Sequence, residues 1–180
     1  MKNIFIDFER CQGCKSCELA CAVEHSKSKN LFAAITETLS PKKRLFVESG
    51  EGKIFPVQCR HCEKAPCVAV CVSGALNRDE SKEIVSHNKE RCIKCSMCVM
   101  VCPFGVILKD LESKAIIKCD RCPDREEPAC VEACPVEALF IVDPKEKCIE
   151  CGTCVMLCPF GIVSKNRKGE MRQFTKKGGG

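Results

Sequence analysis

The chain has 180 residues, of which 20 are Cys and none is Trp or Tyr, and its formal net charge is +5. This length excludes a large enzyme core, and the shortage of large aromatic side chains limits what burial alone can stabilise. Residues 165–180 hold six basic side chains and one acidic one, so the rest of the chain sums to zero and a basic nucleic-acid-binding face is not expected there.

The start of the chain is not typical of an export signal. The first residues contain no long apolar run and reach an acid at Asp7, and no later apolar run is long enough to cross a bilayer. We therefore expect a cytoplasmic protein in a reducing compartment, where ten disulfides would not persist. A folded subunit exported with a partner that carries the signal is the alternative.

Short β-like stretches lie between the cysteine groups. They are residues 4–6, 45–47, 54–57, 106–108, 115–117 and 139–142. Gly50-Glu51-Gly52 predicts a hairpin turn between the second and third of these. The longest stretch without Cys, residues 22–58, predicts a short helix near residues 31–39. The charged run from Lys165, which ends in three Gly, predicts a mobile basic tail over residues 165–180.

The 20 cysteines fall into five groups of four, with none left over. The groups are Cys11, Cys14, Cys17, Cys21; Cys59, Cys62, Cys67, Cys71; Cys92, Cys95, Cys98, Cys102; Cys119, Cys122, Cys130, Cys134; and Cys148, Cys151, Cys154, Cys158. The first, third and fifth groups have the spacing C-x2-C-x2-C-x3-C. The second and fourth lengthen the gap between their second and third Cys and place Pro in it. This is a repeated ferredoxin half-motif.

The spacing suits a [4Fe–4S] cluster. Three Cys on a tight loop offer thiolates to three irons, and the fourth Cys, on a helix, faces away and ligates the neighbouring cluster in two-cluster ferredoxins. Pro follows the fourth Cys in three groups, as Pro103, Pro135 and Pro159. Zinc sites usually take two C-x2-C pairs that are separated by a longer loop. They do not need a third and a fourth Cys that follow the first pair at a regular short spacing. We therefore predict that all 20 cysteines are cluster ligands.

The other polar residues near these motifs give weaker signals. His61, inside the second group, either donates a hydrogen bond near a cluster or lies on the loop surface, and the surface interpretation is favoured. His25 and His87 are predicted to be solvated. The basic residues beside the ligands either offset cluster charge or are solvent-facing loop residues, and the solvent-facing interpretation is favoured; they are Lys15, Arg60, Lys94 and Arg121.

Several functional signatures are absent from the sequence. It has no Gly-rich dinucleotide fingerprint, no P-loop and no nucleophile–base pattern. We therefore predict no catalytic residue, no small-molecule substrate and no enzyme activity of its own. The expected protein is an electron carrier with an α+β fold of repeated bacterial-ferredoxin-like modules. A redox sensor would need an output element such as a helix-turn-helix, and no segment outside the motifs is long enough for one.

Two stretches of the sequence resemble a known family. Residues 58–71, Gln-Cys-Arg-His-Cys-Glu-x-x-Pro-Cys-Val-x-Val-Cys, are similar to the ferredoxin-like electron-transfer subunits of formate hydrogenlyase and of molybdopterin oxidoreductases such as dimethyl sulfoxide reductase. The opening group with its helix, residues 11–26, most resembles the iron–sulfur partner of carbon monoxide dehydrogenase. Together with matching pieces after Cys92 and Cys119, the resemblance covers residues 3–141.

The resemblance implies a four-cluster wire between a catalytic subunit and an acceptor. In it the second and third groups form an inserted module, residues 51–111, and the first and fourth form an outer one, residues 1–50 and 112–164. The implied donor is carbon monoxide dehydrogenase and the implied acceptor a hydrogenase or another reductase. A formate dehydrogenase, a formate hydrogenlyase or a molybdopterin oxidoreductase is the alternative partner.

The fifth group departs from the family pattern. It keeps all four Cys, the loop glycine Gly152 and a closing Pro159, so we expect it to bind a fifth cluster. It also competes with the first group for crossed pairing with the fourth. Adjacency favours the fifth group, because 13 residues separate Cys134 from Cys148. The family resemblance favours the first group, and we follow it.

Overall fold

The computed structural model describes residues 3–50, 53–142, 163–165 and 171–173. The strands in these ranges are β1 Asn3–Ile6, β2 Leu45–Gly50, β3 Lys53–Gln58, β4 Leu76–Asp79, β5 Ile84–His87, β6 Leu108–Lys109, β7 Ile116–Ile117, β8 Leu139–Val142, β9 Val163–Lys165 and β10 Met171–Gln173. The helices are α1 Ser16–Glu24, α2 Leu31–Ile35, α3 Pro66–Ala69, α4 Met97–Val101 and α5 Ala129–Glu132. These short elements give the predicted α+β class.

The described strands form two-stranded antiparallel sheets. β1 pairs with β8, and the hairpins are β2–β3, β4–β5, β6–β7 and β9–β10. The β1–β8 pair joins residues far apart in the sequence: Ile6 lies opposite Leu139, and the rings of Phe5 and Phe140 stack with centroids 6.0 Å apart. Among the described residues, no helix has the length and apolar character that a membrane span requires.

Apolar side chains collect in two separate cores. The first core surrounds the β1–β8 pair and contains Ile6, Cys17, Leu45, Cys130, Val131 and Leu139. The second lies between α3, α4 and the hairpins β4–β5 and β6–β7, and contains Ala65, Cys67, Leu76, Val85, Cys98, Ile107 and Ile116. Each core contains cysteines from two groups. We call them the outer core and the inner core.

Most predicted strands are confirmed within a residue or two, and two differences are informative. Residues 106 and 107 are buried before β6, which begins only at Leu108. The hairpin β4–β5 was not predicted, because Asn77-Arg78-Asp79 carries no apolar alternation. The predicted helix near residues 31–39 is confirmed as the shorter α2, whose N-terminus is capped by the Asn30 side chain.

The predicted tail and the predicted boundary between the modules can be compared with the observed strands. Within the predicted tail, residues 171–173 form β10 and pair with β9, and the mobility of the tail stays a prediction. Charged residues weaken the apolar signal of a strand, but an antiparallel ladder uses backbone groups alone. The predicted boundary at 111/112 falls inside the hairpin β6–β7, and Ile116 packs in the inner core. The division into an outer and an inserted module stays a prediction.

Candidate metal centres

The same backbone conformation recurs in each described cysteine loop. The residue before the second Cys of the group has a positive φ in all four: 69° at Gly13, 49° at His61, 60° at Lys94 and 62° at Arg121. A left-handed conformation is unfavourable for residues other than Gly. In such loops, successive N–H groups turn towards one side and form a concavity that suits an anion. Repeated strain at one motif position indicates a common ligand, and a thiolate-bound cluster is an anion.

The third Cys of each described group occupies the same helical position. Cys17, Cys67, Cys98 and Cys130 are each the second residue of a helix, α1, α3, α4 and α5 respectively. All four are buried, with 6–8% of their surface exposed. The motif therefore builds a loop that is open to a ligand and a short helix that turns the chain towards the partner group.

The fourth Cys of the first and fourth groups crosses to the other group. Cys11, Cys14 and Cys17 line one cleft with Cys134, around an empty volume of about 300 Å³. Burial raises the pKa of the Cys17 thiol to about 11, and the charges of Cys134 and Cys14 add to the rise. We call these four residues the first-group site.

The reciprocal crossing brings Cys21 to the fourth group. Burial raises the pKa of the Cys130 thiol, and the charges of Cys119, Cys21 and Cys122 raise it further. Cys122 is affected in the same way, first by burial and then by charges that include Cys21. We call Cys119, Cys122, Cys130 and Cys21 the fourth-group site.

The second and third groups exchange their last Cys in the same manner. Burial raises the pKa of the Cys67 thiol to about 11, and the charges of Cys59, Cys102 and Cys62 contribute. Cys71 lines a cleft with Cys92, Cys95 and Cys98, around about 310 Å³ of empty space. The second-group site is thus Cys59, Cys62, Cys67 and Cys102, and the third-group site is Cys92, Cys95, Cys98 and Cys71.

Backbone N–H groups donate to three of the crossing sulfurs. Leu76 N–H lies 3.3 Å from Cys71 Sγ, Ala138 N–H 3.2 Å from Cys134 Sγ, and Arg44 N–H 3.2 Å from Cys21 Sγ. The first two bonds follow the same tight turn, because the third residue after each Cys has a positive φ. Burial opposes the charge of the Cys71 thiolate, but the hydrogen bonds from the Leu76 N–H and the Ser73 side chain lower the pKa of that thiol.

The donor sets fit [4Fe–4S] clusters. Each of the four sites brings four sulfurs together, and several of their thiols have pKa values raised by burial and by mutual repulsion. Thiolates gathered in this way need a positively charged centre, which the iron–sulfur core provides. The fifth group, Cys148, Cys151, Cys154 and Cys158, lies outside the described residues.

The three histidines are not solvated, so the surface interpretations are wrong for His61, His25 and His87. His87 is half-buried, and its Nε2 atom is buried without a hydrogen-bond partner among the described residues. His61 is 3% exposed, and its Nδ1 accepts the Val85 N–H at 3.0 Å. His25 Nε2 lies 3.1 Å from an Asp120 carboxylate oxygen. Burial opposes the charge of His25, but the Asp120 carboxylate and Cys21 raise its pKa to about 9. His25 directly follows the last residue of α1 and lies four residues after Cys21, and that spacing was the available signal.

The basic residues divide into two kinds. Lys15 and Lys94 are exposed as predicted, whereas Arg60 and Arg121 are partly buried. The Arg60 guanidinium lies 5.8 Å from the centre of the Phe104 ring, which follows Cys102 and its Pro. Sequence reasoning missed Lys118, which is 5% exposed and whose ammonium donates to the Val85 and Cys119 carbonyl oxygens. The sequence around Lys118 contains no pattern that indicates burial of this lysine.

Three family models match the chain. A 4Fe-4S dicluster domain matches residues 51–144, and 4Fe-4S binding domains match residues 8–24 and 141–164. The match to 141–164 contains the fifth group. The matches confirm the predicted cofactor, several [4Fe–4S] clusters, and the ferredoxin-like fold class.

Curated relatives cover most of the chain. An "Iron-sulfur protein" of Rhodospirillum rubrum is 40% identical over 158 residues, which span 78% of this chain and 81% of the relative. "Electron transport protein HydN" of Escherichia coli K12 is 38% identical over 156 residues, 78% of this chain and 87% of the relative. "Thiosulfate reductase electron transfer subunit PhsB" of Salmonella typhi is 37% identical, covering 74% of this chain and 71% of the relative.

Proposed function

The chain belongs to the 4Fe–4S dicluster domain family, and we propose that it relays single electrons from carbon monoxide dehydrogenase to a hydrogenase or another reductase. It is an iron–sulfur electron-transfer protein like its relatives. The proposed donor is supported by the resemblance of residues 11–26 to the iron–sulfur partner of that dehydrogenase. A cytoplasmic, anaerobic setting belongs to the proposal, because reducing conditions preserve thiolate ligands.

The exchange of fourth cysteines supports the relay most directly. Cys21 and Cys134 change places between two sites, and Cys71 and Cys102 do so between the other two. Each exchange holds two sites side by side on short helices. A bound [4Fe–4S] cluster supplies a one-electron carrier. The protein's own part is to fix the carriers next to one another and to keep water from the buried thiolates.

The proposed ligands are all 20 cysteines. The four described sites each take three Cys from one group and the crossing Cys from its partner. The fifth group is proposed to hold a cluster of its own, and the family match over residues 141–164 supports this. Anaerobically reconstituted protein should contain about 20 iron and 20 sulfide per chain, against about 16 of each for four clusters. A value near 16, with Cys148 and Cys151 open to alkylation in the folded protein, would count against a fifth cluster.

The relay is tested by kinetics with purified partners. Carbon monoxide dehydrogenase reduced by CO should transfer electrons to hydrogenase or to a dye acceptor faster when the reconstituted chain is present. The chain alone should convert neither CO nor protons, because the sequence carries no catalytic signature. Turnover of a substrate by the chain alone would contradict the relay.

A second class of redox partner is favoured by two observations. The match with a thiosulfate reductase electron transfer subunit and the resemblance of residues 58–71 to molybdopterin-enzyme subunits favour the role of an electron-transfer subunit of a formate enzyme or a molybdopterin oxidoreductase. In the same assay, acceleration with formate dehydrogenase and none with carbon monoxide dehydrogenase would select this alternative.

A further inference from the structure

Two of the sites meet at one junction. The Val85 peptide in β5 joins them: its N–H donates to His61 Nδ1 at 3.0 Å, and its carbonyl accepts from the Lys118 ammonium. His61 belongs to the loop of the second-group site, and Lys118 precedes the first Cys of the fourth-group site. Burial raises the pKa of the Cys119 thiol, and the charge of Cys59 contributes to the rise, in keeping with the closeness of the two sites. We call Cys59, His61, Val85, Lys118 and Cys119 the junction.

The protonation of His61 follows from its hydrogen bond. A ring nitrogen that accepts an N–H carries no proton, so Nδ1 is bare and the neutral imidazole holds its proton on Nε2. His61 Nε2 is buried, and no described residue offers it a hydrogen-bond partner. The side chain is 3% exposed, so bulk water does not satisfy it either. A buried donor without an acceptor is destabilising and needs an explanation.

The ring is held in a fixed orientation. The His61 carbonyl and the next one, of Cys62, both accept from the Arg78 guanidinium, at 2.7 and 2.8 Å. The backbone at His61 is left-handed, with φ of 49°, and the Val85 N–H bond to Nδ1 fixes the ring itself. A donor fixed in this way beside cluster-binding cysteines has an obvious class of acceptor, since cluster sulfides and thiolates accept hydrogen bonds from N–H groups.

We propose that His61 Nε2–H donates a hydrogen bond to a sulfur atom of one of the two clusters at the junction and thereby raises the reduction potential of that cluster. The inference rests on the proposed cluster ligands. A hydrogen bond to sulfur stabilises the extra negative charge of the reduced cluster more than that of the oxidised one. The hydrogen bond from His61 then stabilises the electron on a cluster at the junction, where electrons pass between the inner and the outer core.

Two substitutions separate this role from a structural one. In His61→Asn the Oδ1 atom can still accept the Val85 N–H, but no donor reaches the position of Nε2. In His61→Gln the amide N–H reaches that position, but the acceptor for Val85 is displaced. The fold is expected to depend on the Val85 bond, and the potential on the donor.

The potentials are measured by redox titration of the full chain, reconstituted anaerobically and monitored by electron paramagnetic resonance. In His61→Asn, one cluster should show about a tenfold lower ratio of reduced to oxidised form at a fixed poise, equivalent to about 59 mV for a one-electron couple. The other clusters should keep their potentials, and His61→Gln should stay near the wild type. Unchanged potentials in His61→Asn, or the same shift in both variants, would overturn the proposal.

A spectroscopic readout tests the contact itself. His25 Nδ1 lies 3.7 Å from Cys21 Sγ, so wild-type protein labelled with ¹⁵N-histidine should show two nitrogen couplings to reduced clusters in pulsed resonance spectra, one from His25 and one from His61. His61→Asn should lose one coupling and keep the other, and His25→Gln identifies which coupling belongs to His25. The same set of couplings in wild type and in His61→Asn would overturn the proposal. Iron content and dithionite reduction are measured first. If the wild type lacks the second- and fourth-group clusters, the proposed ligand sets are wrong. If those clusters are present and only the His61 coupling is missing, the ligand sets stand and the proposed hydrogen bond of His61 is wrong.

Discussion

The outer and inner cores build the same kind of paired site by different means. In the inner core, Cys71 and Cys92 are 21 positions apart, and the local hairpin β4–β5 spans the gap. In the outer core, Cys21 and Cys119 are 98 positions apart, and the long-range pair β1–β8 closes the unit. The entropic cost of closing a loop grows only slowly with its length. Two cysteine groups that are far apart in the sequence can therefore pair when additional contacts stabilise them.

The outer core has such contacts in the form of ion pairs. Arg125 joins Glu24 at the end of α1 to Glu132 on α5. Asp120 pairs with both His25 and Arg44. The segments of the inner core are joined mainly by the local hairpins β4–β5 and β6–β7. The comparison indicates that the motif fixes the local loop, while different contacts fix which groups pair.

Removal of a crossing cysteine should have the largest effect, because it takes one ligand away from a single site. Cys102→Ala should lose or degrade the cluster at Cys59, Cys62 and Cys67, because that site loses its fourth ligand, and should leave the third-group cluster fully ligated. Cys71→Ala is the matched variant and should do the reverse. Iron content and resonance spectra distinguish the two. A structure with Cys102 bound to the cluster of its own group would contradict the crossing.

Large-to-small substitutions in the two cores should separate their stabilities. Leu139→Ala in the outer core and Leu76→Ala in the inner core each remove a side chain that is less than 5% exposed. Each should lower the free energy of unfolding by about 2–5 kcal/mol. Denaturant unfolding, followed by cluster absorbance and iron release, should show that Leu139→Ala releases the first- and fourth-group clusters first. Simultaneous release of all clusters in both variants would show that the two cores unfold as one.

Substitutions at the loop position before the second Cys should change the stability less, and in opposite directions at Gly13 and Lys94. Gly13→Ala places a Cβ at φ 69° and 3.0 Å from Ile54 Cγ2, so it should destabilise the outer core by about 1–2 kcal/mol. Lys94→Gly removes a Cβ at φ 60° in the inner core and should be neutral or stabilising by less than about 1 kcal/mol. Denaturant midpoints measure both. Equal destabilisation by the two variants would rule out backbone strain as the cause.

The C-terminal tail should have the smallest effect. Residues 165–180 carry a net charge of +5, while each bound cluster adds about −2 to the rest of the chain. Truncation after Ser164 should slow association with an acidic donor surface, and more so at low salt, where charges are less screened. Stopped-flow measurement at two ionic strengths tests this. An unchanged rate at low salt would assign the tail to solubility only.

The motif-level features were available from the sequence. The grouping of the 20 cysteines, the cofactor, the α+β class and the strands around residues 4–6 and 139–142 depend on spacing and local apolar pattern, which a single sequence displays. The β4–β5 hairpin was missed because its polar residues carry no such pattern. The proposed donor rests on the motif at residues 11–26, and no contact in the chain bears on it.

The tertiary structure alone decided the relations between distant segments. Motif spacing alone left the partner of the fourth group open between the first and the fifth, and only the family resemblance favoured the first. The structure brings Cys21 and Cys134 across to each other's groups. It also buried His61 and Lys118, which local patterns had placed on the surface or passed over. The physical reason is the same in each case: thiolate spacing is a local property of the chain, whereas burial and crossed ligation depend on which segments pack together.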